Sequence, residues 1–270
     1  MTERVFLAVE GVNDAAFVGR LLRTSFGLSS VTTRDSLPSA WRPLVPNQFP
    51  HEPSASISRL SVPYPVFFMG DSEDDLVAIV NGEGVDQAVE KLDTHLRRAE
   101  QEDGAARPTA VGVVVDGDNN PAARFAEAAD SLMKIGLLPP SQPCCVDGSS
   151  PRVGIYVLPG SNLKGRLEDV LLDCARVVWP ELTACCDRFL TDAEKLLSPK
   201  QLRKFDRDKS LTGALSAVMR PQRPLAAMIS DCEWLGPAVQ NRPQIHAFHG
   251  FLETLTGLAR KDREAAKLTG

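Results

Sequence analysis

The sequence contains no apolar run approaching the roughly 18 residues that span a bilayer, so a membrane partner is not expected. Its first residues, MTERVFLAVEG, lack the charged region and apolar stretch of a secretory signal, which makes a cytoplasmic location the expectation. Positive charge is also scarce. Lys and Arg number 30 against 35 Asp and Glu, a net charge of -5, so nucleic acid would have to be met by a local basic patch. None of the six cysteines stands in a C-x-x-C spacing. Cys144-Cys145 and Cys185-Cys186 are adjacent pairs, and with Cys174 and Cys232 they read as reduced thiols rather than zinc ligands or disulfides. The loop from Gly160 to Gly165 lacks the G-K-[ST] ending of a phosphate loop, and no G-x-S-x-G nucleophile turn is present. There is no internal repeat.

What the chain does contain is an alternation of strand and helix. Val111 to Asn120, VGVVVDGDNN, is a run of small and β-branched residues that ends in Asp116 and Asp118. Such a near-continuous apolar run predicts a strand buried on both faces, the habit of parallel sheets. Arg4 to Glu10, Asp75 to Val80 and Arg152 to Leu158 read as further strands. Helical spacing follows each: Asp14 to Leu22, Gly84 to Ala99, Pro121 to Ile135 and a helix beginning near Arg166. The pattern predicts an α/β fold, a parallel sheet of about four strands flanked by helices with right-handed crossovers, over residues 1–178. Residues 179–270 read as a helical C-terminal extension or cap, with helices over Leu182 to Leu197, Pro199 to Met219 and Gln244 to Leu258. Between the first and second strands, residues 29–65 are dense in Ser, Pro and Arg. They are expected to be an irregular insertion, partly ordered by Trp41, Phe49 and Tyr64.

The acids concentrate where such a sheet binds ligands. In open α/β sheets the ligand crevice lies beyond the carboxyl ends of the strands. Glu10, the Asp116-x-Asp118 pair and Glu168 all follow predicted parallel strands at that edge, and Asp14 lies one helical turn beyond Glu10. Taken singly, Glu10 is an ordinary strand-end carboxylate, and Asp14 and Glu168 are acids favoured by a helix dipole. Together they would repel unless a hard cation lay among them, so the expected cofactor is Mg2+ or Mn2+.

The ordered pair VEGVND (Val9 to Asp14) and VVVDGD (Val113 to Asp118) resembles the Toprim domain of topoisomerases, bacterial primases, recombination-repair proteins and OLD-family nucleases. GRLEDVLL, Gly165 to Leu172, resembles the glycine-x-x-glutamate element of the OLD-type branch, and also a group of small Toprim-related bacterial proteins with a G-x-L-E-D signature and a helical tail. The resemblance covers roughly residues 4 to 175, with a weaker echo over Lys209 to Ile229. It implies a Toprim-like Rossmannoid sheet and a metal-dependent phosphoryl-transfer enzyme, foremost a nuclease acting on DNA or RNA with two ions. Glu10 would be a metal ligand or general acid-base group, Asp14, Asp116, Asp118 and Glu168 metal ligands, and Lys209 a catalytic lysine. With only Tyr64 and Tyr156, tyrosine chemistry of the topoisomerase type is not expected. The alternative is a non-catalytic metal- or nucleic-acid-binding module that acts with a protein partner such as an ATPase.

Two further features have competing readings. Arg203, Lys204, Arg207 and Lys209 form a basic patch or, since Asp206 and Asp208 interrupt them, a salt-bridged surface helix. His246 and His249 are three apart but lack a third ligand nearby, so they read as structural or surface residues.

Overall fold

The computed structural model describes residues 3–45, 64–72, 75–101, 107–161, 163–231 and 233–261. The strands are β1 (Arg4–Val9), β2 (Ser29–Ser30), β3 (Val66–Met69), β4 (Leu76–Asn81), β5 (Ala110–Asp116), β6 (Cys145–Asp147) and β7 (Arg152–Leu158). They form one seven-stranded sheet in the order β2-β3-β4-β1-β5-β7-β6. The four strands read from the sequence are its parallel centre, β4-β1-β5-β7. The expected count of about four falls short by three. β2, β3 and β6 are added antiparallel outside that centre, each too short to show alternation; β2 and β6 are the edges, and short edges of this kind resist edge-to-edge pairing. In the register of the parallel centre, Val9 lies opposite Asn81 and Val114, and Asp116 opposite Leu158, so these strands end together.

Alternate residues of β1 and β5 face opposite layers, which is why the strands are apolar throughout. On one face Val5, Leu7, Val9 and Val114 pack with α1 (Val12–Ser25), and on the other Phe6, Ala8, Val111, Val113 and Val115 pack with α2 (Val85–Gln101) and α3 (Pro121–Lys134). Trp41 of the insertion covers the second face, stacked 5.2 Å from Phe6, and Tyr64 is buried beside it. Phe49, with Pro46, Pro50, Pro53 and Pro63, lies outside the described residues.

The C-terminal half adds α4 (Leu167–Val178), α5 (Pro180–Glu194), α6 (Pro199–Leu202), α7 (Arg207–Met219), α8 (Leu225–Asp231) and α9 (Pro243–Thr256). Where periodicity predicts one helix over 199–219 there are two. Asp206 ends the interruption by accepting the Lys209 N–H at 3.1 Å, an N-cap that starts α7 afresh. The last helix, α9, is a layer of the sheet: Phe248 meets the Tyr156 ring of β7 at 4.7 Å and the Phe17 ring of α1 at 5.2 Å. His249 is fully buried on the same helix and His246 is exposed, so the pair does not form a ligand set. The described cysteines are free thiols, and Cys232 lies outside the described residues. No helix among the described residues is long and apolar enough to cross a membrane.

Candidate functional site

The carboxyl edge of the parallel strands is assembled from three turns. The first follows β1, where Glu10 and Gly11 lead into α1 and Asp14 occupies its first turn. The second follows β5. A Cβ at Gly117 would lie 2.7 Å from the Leu158 carbonyl oxygen and 3.0 Å from that of Leu163, so only glycine permits this approach to β7. Its N–H donates to the Leu158 carbonyl at 2.8 Å. Asp118 then takes the left-handed conformation, φ 47°, which Asp tolerates better than most residues. The third turn precedes α4. Asp118 and Gly165 exchange two backbone hydrogen bonds, of 2.8 and 2.9 Å, and the Leu167 N–H at the start of α4 donates to Asp116 Oδ1 at 2.8 Å. Gly165 is at φ +138°, a conformation that strains any side-chain-bearing residue. D-x-D and G-R-L-E-D are thereby fastened to each other.

These turns bring Glu10, Asp14, Asp116 and Glu168 into one electrostatic group. Burial pushes the Asp116 carboxyl up to about 8, with Asp14, Glu10 and Glu168 adding to it against the Leu167 hydrogen bond. Asp14 is pushed up to about 7 by burial and then by Glu10 and Glu168. Burial also raises Glu10, although Arg124 opposes it. Glu168 is only 9% exposed. Asp118 stands at the rim, exposed, with Oδ2 3.6 Å from Arg124 Nε. An excess of desolvated carboxylates is unfavourable unless positive charge is supplied.

One cation already answers part of that demand. Arg124 of α3 pairs with Glu10 and Glu127, and its Nε donates to the Asp116 carbonyl at 3.1 Å. Sequence reasoning missed Arg124; its signal is weak, one arginine on a helix four residues after the Asn120 N-cap. Beside the acids lies a cleft of about 460 Å³ lined by Asp118, Asn119, Lys164, Arg166, Asp206 and Asp208 among others. Arg166 grips Asp206 with two hydrogen bonds of 2.6 and 3.1 Å, and this pairing holds the Asp206 carboxyl below the usual carboxylate range.

Lys209 is not gathered with the acids. It lies exposed in the first turn of α7 and does not line the cleft. Of the nearby basic residues, Arg207 is held by Asp187 and Glu194 at 2.7 and 2.8 Å, while Arg203 and Lys204 are exposed. Carboxylate oxygens are the donors that Mg2+ and Mn2+ prefer, so the residue types fit such an ion. The geometry fits less completely: among the described residues, no three His, Cys, Asp or Glu side chains converge at ligand spacing.

Fold and site together define a mixed α/β protein whose acids meet at the carboxyl edge of a central parallel sheet. Residues 4–257 match the family described as "protein of unknown function (DUF3226)", and the chain belongs to that family. No curated protein matches the sequence. The crystal structure of a hypothetical protein from Pyrococcus horikoshii OT3 is similar over 94% of this chain and 95% of its own, at 16% identity and a TM-score of 0.47.

Proposed function

We propose that the protein is a divalent-metal-dependent phosphoryl-transfer enzyme of Toprim type, a nuclease acting on DNA or RNA. The observation that carries this reading is the surplus of desolvated carboxylates at the sheet edge, where Asp14 and Asp116 are pushed up to about 7 and 8 although Arg124 lies close by. Ordinary stabilising ion pairs do not leave such a surplus, and sites whose carboxyl groups are shifted this far cluster at functional positions. The Toprim resemblance of the same residues supports it independently. Glu10, Asp14, Asp116, Asp118 and Glu168 would hold Mg2+ or Mn2+, with Glu10 exchanging its contact with Arg124 for one with an ion. When bound, such ions supply an activated water and stabilise the leaving oxygen.

The remaining tasks fall to the chain itself. Arg124, released from Glu10, would meet a phosphate oxygen, and Lys164 on the cleft wall would supply a second cation. Lys209 would act only at the margin, on strand beyond the cleft. The test is incubation of the purified protein with plasmid, linear DNA and RNA under manganese. Cleavage abolished by chelator and by Asp116→Ala supports the reading, and cleavage unchanged by both removes this site from it.

A second reading rests on Arg124 itself. Its guanidinium pairs with Glu10 and so already supplies part of the countercharge, as a site that binds without turnover allows. In that case the domain binds metal or nucleic acid and works through a protein partner such as an ATPase. Metal binding without cleavage of any substrate favours it.

A further inference from the structure

A second cleft, of about 390 Å³, opens between β7 and the start of α9. Pro159, Leu163, Pro243 and Ala247 give it apolar walls, and none of the described residues lining it carries a charge. Two of its polar atoms are unspent. The Tyr156 hydroxyl belongs to a side chain only 1% exposed and, among the described residues, has no hydrogen-bond partner, and the buried Gln244 Oε1 has none there either. The Tyr156 hydroxyl faces Gly160 of the cleft wall, where a Cβ would lie 3.7 Å away. A buried polar group without a partner costs roughly 1–3 kcal/mol, so an orphaned donor and an orphaned acceptor in one cleft call for an occupant offering both. The space far exceeds the roughly 30 Å³ share of one water and lies within the range of small-molecule sites.

We infer that this cleft is a subsite for an unpaired nucleobase. Its neutral walls suit an uncharged planar heterocycle, with the Tyr156 hydroxyl donating to a ring nitrogen or carbonyl and Gln244 Oε1 accepting from an exocyclic amine or ring N–H. The choice of a nucleobase among neutral heterocycles rests on the phosphoryl-transfer reading above. Position links the two sites: Leu163 walls this cleft and closes over Gly117, while Lys164 and Gly165, next in the chain, line the acidic cleft. A base held here keeps its strand against the D-x-D edge.

The test is calorimetric titration of the full chain with adenosine, guanosine, cytidine and uridine in the presence of a chelator. Saturable binding of at least one nucleoside is expected, weakened about fivefold to tenfold in Tyr156→Phe, which removes only the hydroxyl. Ala247→Trp, at an exposed position on the cleft wall, is expected to abolish it; this variant carries the test if Tyr156→Phe loses its circular dichroism spectrum. Absence of binding by the natural protein, or equal binding by a folded Tyr156→Phe or Ala247→Trp, overturns the subsite and leaves a cleft filled by water only. Because ions are chelated throughout, that negative result does not touch metal-dependent cleavage, which has its own assay.

Discussion

The two ends of the central strands treat buried acids in opposite ways. At the amino end Glu3, 5% exposed, accepts the Thr109 hydroxyl at 2.9 Å and pairs with Arg152, whose Nε in turn donates to the Leu255 carbonyl at 3.1 Å. One acid there has one cation and one hydroxyl, and the arrangement ties the end of α9 to the sheet. At the carboxyl end Glu10, Asp14, Asp116 and Glu168 act on one another, and Arg124 is the cation placed among them. A buried carboxylate at the amino end is thus matched by a cation and a hydroxyl, whereas those at the carboxyl end outnumber the cation beside them, the imbalance on which the proposed function rests.

Opposite responses to substitution would sharpen that contrast. The largest effect is expected from Asp116→Ala: cleavage assayed under manganese falls by roughly a thousandfold or more, the scale of losing a principal stabiliser of transition-state charge. At the other end, Arg152→Ala leaves Glu3 buried without its partner and is expected to cost about 3–5 kcal/mol in denaturant unfolding, with metal affinity unchanged. Equal losses of stability in the two variants would break the comparison.

A smaller effect is expected from pH. Asp14 and Asp116 have folded values near 7 and 8, above the ordinary 3.8, so the folded protein binds protons more tightly than the unfolded chain. Their contribution to stability is therefore full below about pH 4 and is lost as pH rises through 7 and 8. In a chelator, thermal melting should fall over that window and Asp116→Asn should flatten the fall. Magnesium at about 100 times its dissociation constant should add about 2.7 kcal/mol at pH 8. The smallest effect belongs to Lys209→Ala, exposed and outside the acid group, at under about 0.5 kcal/mol in stability and less than a tenfold change in cleavage.

Much of this architecture is written in local pattern. The apolar runs at Val5 to Val9 and Val111 to Val115 announce strands covered on both faces, and because parallel strands end on one edge, Glu10 and Asp116 come together there; Glu168, in the first turn of α4, is brought to them by the loop that Gly165 fastens to Asp118. Three things were hidden for physical reasons. Ser29–Ser30 and Cys145–Asp147 are too short to carry a period, and pair only because a longer strand offers its edge. Helical periodicity over Gln244 to Leu258 shows that a face is apolar but not that Phe248 meets Tyr156. Arg124 was invisible because an arginine on a helix is ordinary until the fold sets Glu10 against it. The break before α7 was readable in principle, since Asp206 three residues before Lys209 is an N-cap spacing.

The most direct test of the central claim is calorimetric titration of manganese into the full chain at pH 8, compared with Asp116→Asn and Arg152→Ala. Saturable binding that is lost in Asp116→Asn and retained in Arg152→Ala is expected. Absence of binding at millimolar manganese, or binding that survives Asp116→Asn unchanged, would contradict it.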